Sequence, residues 1–392
     1  MPQSATFAWV YMAVVTTALL THNVGNWPRE EQPVVVEAAF SVPESVLDAF
    51  GLDDAHIESL TGGRTNRTMR VRAGRDLVLQ QMLGSAHGDL LGIMENLVRV
   101  TSHLDWRRAF AEEQQTWYPH LVGTSAGKPF IMTAEGDVWR AFMYRQGQIL
   151  RSSQPLATLA SAAALYGRFT AETADLGGPP LIETAPGFHD VDRVYDALLA
   201  EVETADDRRD EIVPMLADLQ KLKHDLDQRC SRDGVRWSPD RVVHNDTKLS
   251  NVLFDRDQGR ARAVLDLDLA MMGPSWHDVG DLMRSACWYA KDSHDPVFSV
   301  ELFDAVVGAF VEAAGETLSD VEIIGYAIAG PRLSFELGLR YLHDHLREWP
   351  QLMVQGQNGH LLRGQANIKL AQEMLDAYDA LRRIVDGFVD TR

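Results

Sequence analysis

Cysteine is nearly absent: Cys230 and Cys287 are the whole supply, with neither a CxxC pair nor a metal-ligand spacing. That excludes a disulfide framework and a thiolate zinc site, and it suits a reducing compartment. An excess of positive charge is missing too. The formal net charge of -19 leaves no concentration of Lys and Arg of the kind that nucleic acid or an anionic membrane would require. Neither is expected as a partner, and small ligands remain. The only long apolar run, FAWVYMAVVTTALL at 7–20, is too short for a comfortable membrane span. It has the length of a signal-peptide core, yet the preceding MPQSAT carries no Lys or Arg, and VVVEAAF is a weak cleavage candidate. We read residues 1–42 as a dispensable extension or a start placed too early, in preference to an export signal, and expect a cytoplasmic protein. Repeats and low-complexity tracts are also absent.

What is present is ordinary globular composition, 45% hydrophobic and 24% charged, in a chain long enough for two lobes. ESLTGGRTNRTMRVRAGRDLVLQQM (58–82) reads as three strands joined by Gly-containing turns. MENLVRVTSHL (94–104) has helical spacing, and KPFIMTAEGDVWRAFMYR (128–145) alternates like further strands, with EGD as the turn. Beyond Gly147 the long segments have helical period, interrupted by RVVHNDTKLSNVLFD and RARAVLDLDLAMM, which read as short strands with DQG (257–259) as a hairpin turn. The expectation is an α+β, bilobal chain: a small, mostly β lobe over 43–145 and a larger, mostly helical lobe over 146–392.

The chemistry concentrates in VVHNDTKLSN (242–251). A buried core does not favour so much polarity in ten residues, whereas a site that orients a hydroxyl and holds a metal does. Asp246 and Asn251, five apart on a loop, can share a cavity. Phosphoryl transfer needs such a pair, a carboxylate to orient the attacking hydroxyl and an amide oxygen to help hold Mg²⁺. A second ligand should stand on a neighbouring strand. VLDLDLA supplies Asp266 and Asp268, whose period-two spacing along a strand predicts one shared face.

HNDTKLSN, LDLDLAMMGP and HDVGDLMR together resemble the aminoglycoside phosphotransferase and choline kinase superfamily, small-molecule kinases of protein kinase-like fold. TGGRTNRTMRV, LVLQQM, MENLVRVTSHL, EGDVWRAFMY, PGFHDVDR, ELGLRYLHDHL and LLRGQANIKL are similar, in order, to its N-acetylhexosamine 1-kinase branch, over about residues 45–385. The resemblance implies ATP and Mg²⁺, with Asp246 as catalytic base and Lys248 beside the transferred phosphoryl group. It makes Asn251 and Asp266 the metal ligands and Asp268 a second-metal or supporting carboxylate. His244 and Asp278 would brace the loop. Gly62, Gly63, Arg64, Thr65 and Asn66 would form the nucleotide loop, and the segment from Phe142 to Tyr144 the adenine hinge. His189, Asp190, Arg340 and Asp344 would meet the acceptor.

Plainer readings stand beside these. Gly62-Gly63 alone suits an ordinary hairpin turn. His189 and Asp190 could cap a helix starting near Val191, and Arg340 and Asp344 could form an intrahelical ion pair. The Trp residues at 106, 117, 276, 288 and 349 read as core or rim. Two departures from the resemblance matter. Where the superfamily usually has a third-strand cation, this chain has Gln80 and Gln81, so either Arg64, Arg70 or Arg72 serves the phosphates or nucleotide is held more weakly. REWPQLM (347–353) stands where the hexosamine kinases carry a GD-x-YF segment. The leading expectation is a kinase acting on a hexose or N-acetylhexosamine at the anomeric hydroxyl. The rivals are an aminoglycoside, macrolide or choline-type amino-alcohol kinase and a nucleotide-binding pseudokinase.

Overall fold

The computed structural model describes residues 41–60, 66–83, 88–111, 116–151, 154–205, 208–235, 238–288, 296–347 and 358–392. The apolar run at 7–20, the loop residues Gly62 to Thr65, Trp349 and most of REWPQLM lie outside them.

Three antiparallel strands, β1 (His56–Ser59), β2 (Asn66–Arg72) and β3 (Asp76–Met82), open the fold. β3 next pairs with β6 (Val138–Met143), which also carries β4 (Leu121–Val122) and β5 (Ile131–Met132). Strict alternation sorts the side chains to two faces. Met69, Val71, Leu77, Leu79, Trp139 and Ala141 bury one face against helix α1 (Glu44–Phe50) through Val46 and Phe50. The opposite face carries a polar row, Thr68, Gln80 and Arg140, in register across β2, β3 and β6. Between β3 and β4 runs α2 (Leu90–Arg108), capped by Asp89 accepting from Gly92 N at 2.8 Å.

After β7 (Gln148–Ile149) the chain is mainly helical: α3 (Leu156–Thr173), α4 (Val191–Thr204), α5 (Leu216–Arg232), α6 (Trp276–Ala286), α7 (Val300–Ala314), α8 (Asp320–Leu346), α9 (Gly359–Asp376) and α10 (Tyr378–Asp390). α8 runs through the larger core and begins with a capping box, Ser319 with Glu322. None of the described helices is long and apolar enough to cross a membrane. Four short strands interrupt them: β8 (Asp240–Val243), β9 (Val252–Phe254), β10 (Ala261–Val264) and β11 (Met271–Pro274). β8 pairs with β11, and β9 with β10 and β7. The loop 244–251 leaves β8 and returns through β9, while 265–270 leaves β10 and returns through β11. The two pairings therefore bring both polar loops to one place.

Candidate active site

Asp278, in the first turn of α6, shapes the loop 244–251. Its Oδ2 accepts His244 N at 2.9 Å and its Oδ1 accepts Asn245 N at 2.7 Å, while Thr247 Oγ1 donates to its carbonyl at 2.6 Å. Asn245 takes a left-handed φ of 62°, which asparagine tolerates better than most residues. His244 Nε2 donates to Leu265 O at 2.8 Å, tying this loop to its neighbour, and Nδ1 accepts from Asp246 N at 3.3 Å. Its ring packs edge-on against Tyr166. Both side chains bond to backbone groups of the two loops.

Asp246 is thereby presented with one occupied oxygen. Lys248 Nζ and Asn251 Nδ2, the latter at 2.9 Å, both meet Oδ2, and Oδ1 has no hydrogen bond among the described residues. Burial alone would raise the Asp246 acid, but the Lys248 ammonium, then His244 and the Asn251 amide, hold it below the usual carboxylate range. Asn251 spends its Nδ2 on Asp246 and keeps Oδ1 as an acceptor.

Asp266 departs from the strand argument. β10 ends at Val264, and Asp266 adopts φ 59° beyond it, so period two no longer relates it to Asp268. Its carboxylate has no hydrogen bond among the described residues. The surrounding protein and then the carboxylates of Asp268 and Asp246 push its acid up to about 6, although solvent still reaches the side chain. A carboxylate crowded by like charges, on a loop whose Leu265 N donates to Asn251 O at 2.8 Å, fits a hard cation. No cluster of three His, Cys, Asp or Glu converges among the described residues. An ion here would rest on Asn251 and Asp266, with phosphate oxygens and water completing its shell.

Asp268 has a different partner, which sequence reasoning missed. Arg140 Nη1 lies 2.7 Å from its Oδ1 and Nη2 2.9 Å from its Oδ2, and Asn66 Nδ2 donates to Oδ2 at 2.8 Å. Arg140, 1% exposed, also binds Gln80 Oε1 through Nε at 3.0 Å and Nη2 at 2.9 Å. The available signal was an arginine inside the otherwise apolar strand VWRAF. Of the cations expected near the phosphates, Arg70 pairs with Asp76 and lies 3.8 Å over the Tyr144 ring, and Arg72 pairs with Glu58 at 3.0 Å. Gln81 points to the other face and binds Asp137. Asn66 turns its amide to Asp268, leaving Gly62, Gly63, Arg64 and Thr65 outside the described residues.

Phe142 and Tyr144 stand at the end of β6, where the chain crosses to the helical region. The backbone N–H groups of Met143 and Tyr144 are taken by His120 O and Asp76 O, both near 3 Å. A base that accepts a backbone N–H here would take it from the next residues, Arg145 or Gln146, while the carbonyls of Met143 and Tyr144 can accept from it.

On the other side of Asp246, His189 sits at φ 64°, with Nδ1 at 2.6 Å from Glu336 Oε2 and Nε2 at 3.1 Å from Asn245 O. Glu336 is 2% exposed. Burial would raise its acid, but His189 and Arg340 hold it down to about 2. The intrahelical partner of Arg340 is Glu336, one turn earlier at 2.6 Å, and not Asp344, which is itself buried. Asp190 caps α4, accepting Arg193 N at 3.1 Å, the plainer of its two readings. Asp281 on α6 is also buried and pairs with Arg284 Nε at 3.0 Å, while its Oδ2 has no hydrogen-bond partner. Its charge reaches Lys248 and His189.

Solved structures share this fold at low identity. An aminoglycoside phosphotransferase of Alicyclobacillus acidocaldarius is 15% identical, with 92% of this chain and 98% of that one covered and a TM-score of 0.60. Plasmodium vivax ethanolamine kinase is 11% identical, with 83% and 85% covered and a TM-score of 0.53. An amicoumacin kinase, solved with AMP-PNP and Ca²⁺, is 13% identical, with 84% and 92% covered and a TM-score of 0.54. The architecture is the bilobal α+β fold of protein kinase-like enzymes, with a β-sheet N-terminal region and a mostly helical C-terminal region. Residues 56–296, well over half of the chain, match the family described as Phosphotransferase enzyme family (APH). The chain belongs to that family and is a small-molecule kinase whose acceptor is a hydroxyl group.

Proposed function

We propose that the chain transfers the γ-phosphoryl group of ATP, with Mg²⁺, to a small neutral polyhydroxy acceptor, a hexose or N-acetylhexosamine attacked at its anomeric hydroxyl. One observation carries the reading, the pattern of charge around the loop. Asp246 faces Lys248, Asp268 faces Arg140, Asp281 faces Arg284, and Glu336 faces Arg340 and His189. Asp266 alone of this group has no such partner among the described residues, which marks the place for an added cation. Mg²⁺ there would neutralise charge that spreads over the phosphoryl oxygens during transfer. Asp246 Oδ1 would align the acceptor hydroxyl and take its proton, with Lys248 keeping Asp246 ionised at neutral pH. Positioning supplies most of the acceleration in such a reaction. Gly62, Gly63, Arg64 and Thr65 would cradle the phosphates and Phe142 to Tyr144 the base, making 43–145 the nucleotide lobe and 146–392 the catalytic and acceptor lobe.

A neutral acceptor suits the acids beyond Asp246. Asp190 is used as a cap, Asp344 is buried and Glu336 is compensated, so little free negative charge would meet a polycation. A second reading rests on Asp281, whose unpaired Oδ2 could receive the ammonium of an amino alcohol or aminoglycoside. The ethanolamine and antibiotic kinases that share the fold act on acceptors of that kind by their names. The non-catalytic reading rests on Gln80 and Gln81, which leave β3 without a cation for the phosphates. Phosphate transfer from ATP should be measured against neutral hexoses, N-acetylhexosamines, amino alcohols and aminoglycosides, for wild type and Asp246→Asn. Turnover of a neutral sugar that falls at least ~10³-fold in the variant is expected. Turnover confined to cationic acceptors would replace the first reading by the second, and a fully active Asp246→Asn would remove both.

A further inference from the structure

We propose that Arg140 and Asp268 form a positioning pair that fastens the sheet to the metal-bearing loop, and that this pairing takes Asp268 out of the metal ligand set. The inference rests on the kinase reading of Asp246, Asn251 and Asp266. Nε and Nη2 of the guanidinium donate to Gln80 Oε1, Nη2 also donates to Asp268 Oδ2, and Nη1 stands 2.7 Å from Asp268 Oδ1 as an ion pair and approaches Met94 Sδ at 3.8 Å. Arg140 is 1% exposed and Asp268 8%. Buried and held by Gln80 and Asp268, Arg140 acts through Asp268 and not on the nucleotide.

The same geometry argues against a metal on Asp268. A divalent ion bound to either oxygen would stand beside a desolvated, fixed guanidinium, and like charges at that range repel strongly where water is excluded. Asp266 has no ion pair and no side-chain hydrogen bond among the described residues, whereas Asp268 has both. The two carboxylates therefore divide the work. Asp266 faces the ion, while Asp268 ties together Arg140 of β6 and Asn66, which ends the TGGRTN stretch, at a point two residues from Asp266. Gln80 completes the device: it accepts from Arg140 and donates to Thr68 Oγ1 at 3.1 Å, so a neutral residue at this place on β3 holds the cation of its neighbour.

The test is a double-mutant cycle on the full chain with Arg140→Gln, Asp268→Asn and the charge-neutral double variant, read by melting temperature without ligand and by Mn²⁺ affinity in the presence of ADP. Each single variant strands a buried charge and should melt lower, and the double should recover most of the loss. In the double variant Mn²⁺ affinity should stay within about threefold of wild type, against a loss of at least ~30-fold in an Asp266→Asn control. Additive losses in melting temperature would overturn the pairing. A loss of affinity in the double variant equal to that of Asp266→Asn would make Asp268 a ligand and overturn its exclusion. If Asp266→Asn itself binds Mn²⁺ as wild type does, the kinase reading of the site fails first, and that outcome is separate from the melting result.

Discussion

Replacing Asp278 by alanine isolates what holds the catalytic loop. The side chain is 1% exposed and accepts two backbone N–H groups, His244 N at 2.9 Å and Asn245 N at 2.7 Å. Without it both donors remain buried and unanswered, each worth about 1–3 kcal/mol. Burial pushes the Asp278 acid above its usual range, so removing the charge returns part of that sum. We expect a net loss of about 3 kcal/mol, a large share of the roughly 5–15 kcal/mol that holds a domain together. Asp278→Asn keeps one acceptor but turns an amide donor toward the second N–H, so it should fall between alanine and wild type. Urea unfolding at pH 7 measures both, and the slope with denaturant should not change. Asp246 is next to the freed Asn245, and misplacement by about 1 Å should lower kcat about 10²-fold. A loss below about 1 kcal/mol with kcat retained would refute the claim that Asp278 sets the loop.

Gly280 lies where α6 meets α8, and a Cβ there would stand 2.6 Å from Ala329 O. Gly280→Ala should destabilise by about 1–3 kcal/mol and lower kcat through the shifted helix, checked by the same unfolding curve and by turnover. The His189–Glu336 pair makes stability depend on pH. Burial opposes the charged histidine, but Glu336 raises its pKa above the ordinary 6.5. Its contribution is therefore fully present below about 6.5 and lost as pH rises through the raised value. Glu336, held down to about 2, contributes above its ordinary range near 4.5 and is lost as pH falls towards 2. The melting difference between wild type and His189→Asn should thus be largest near pH 5.5 and small at pH 9, and a difference that grows with pH would contradict the pairing. Glu322 is fully buried and takes Arg241 Nε at 2.6 Å, Arg241 Nη2 at 2.7 Å and Ser319 N at 2.9 Å. Glu322→Gln should lose about 3–5 kcal/mol by differential scanning calorimetry, while activity at low temperature persists.

The loop 244–251 was legible because part of its bonding is local: Asp246 and Asn251 meet over five positions, while His244 and Thr247 bond to the loop and helix that flank it. The strands were legible for a similar reason, since alternation in LVLQQM and VWRAF assigns faces without knowledge of the partner. Charge partners were not. Asp268 and Arg140 are 128 positions apart, and His189 and Glu336 147 apart, so no spacing announces them. Arg340 shows how a local rule can fail for a distant cause. Helix geometry offers it Glu336 one turn back and Asp344 one turn on with equal ease. His189, fixed against the loop at Asn245 O, draws Glu336 to that side, and the guanidinium follows the carboxylate that faces the site. Asp266 adds a second case. Period two holds only while the chain is a strand, and a left-handed Asp266 after Val264 ends the alternation that the pattern VLDLDLA would have continued. Contacts within one loop or one hairpin can be read from spacing. Partners brought in from elsewhere in the fold, and a backbone that leaves the strand after Val264, cannot.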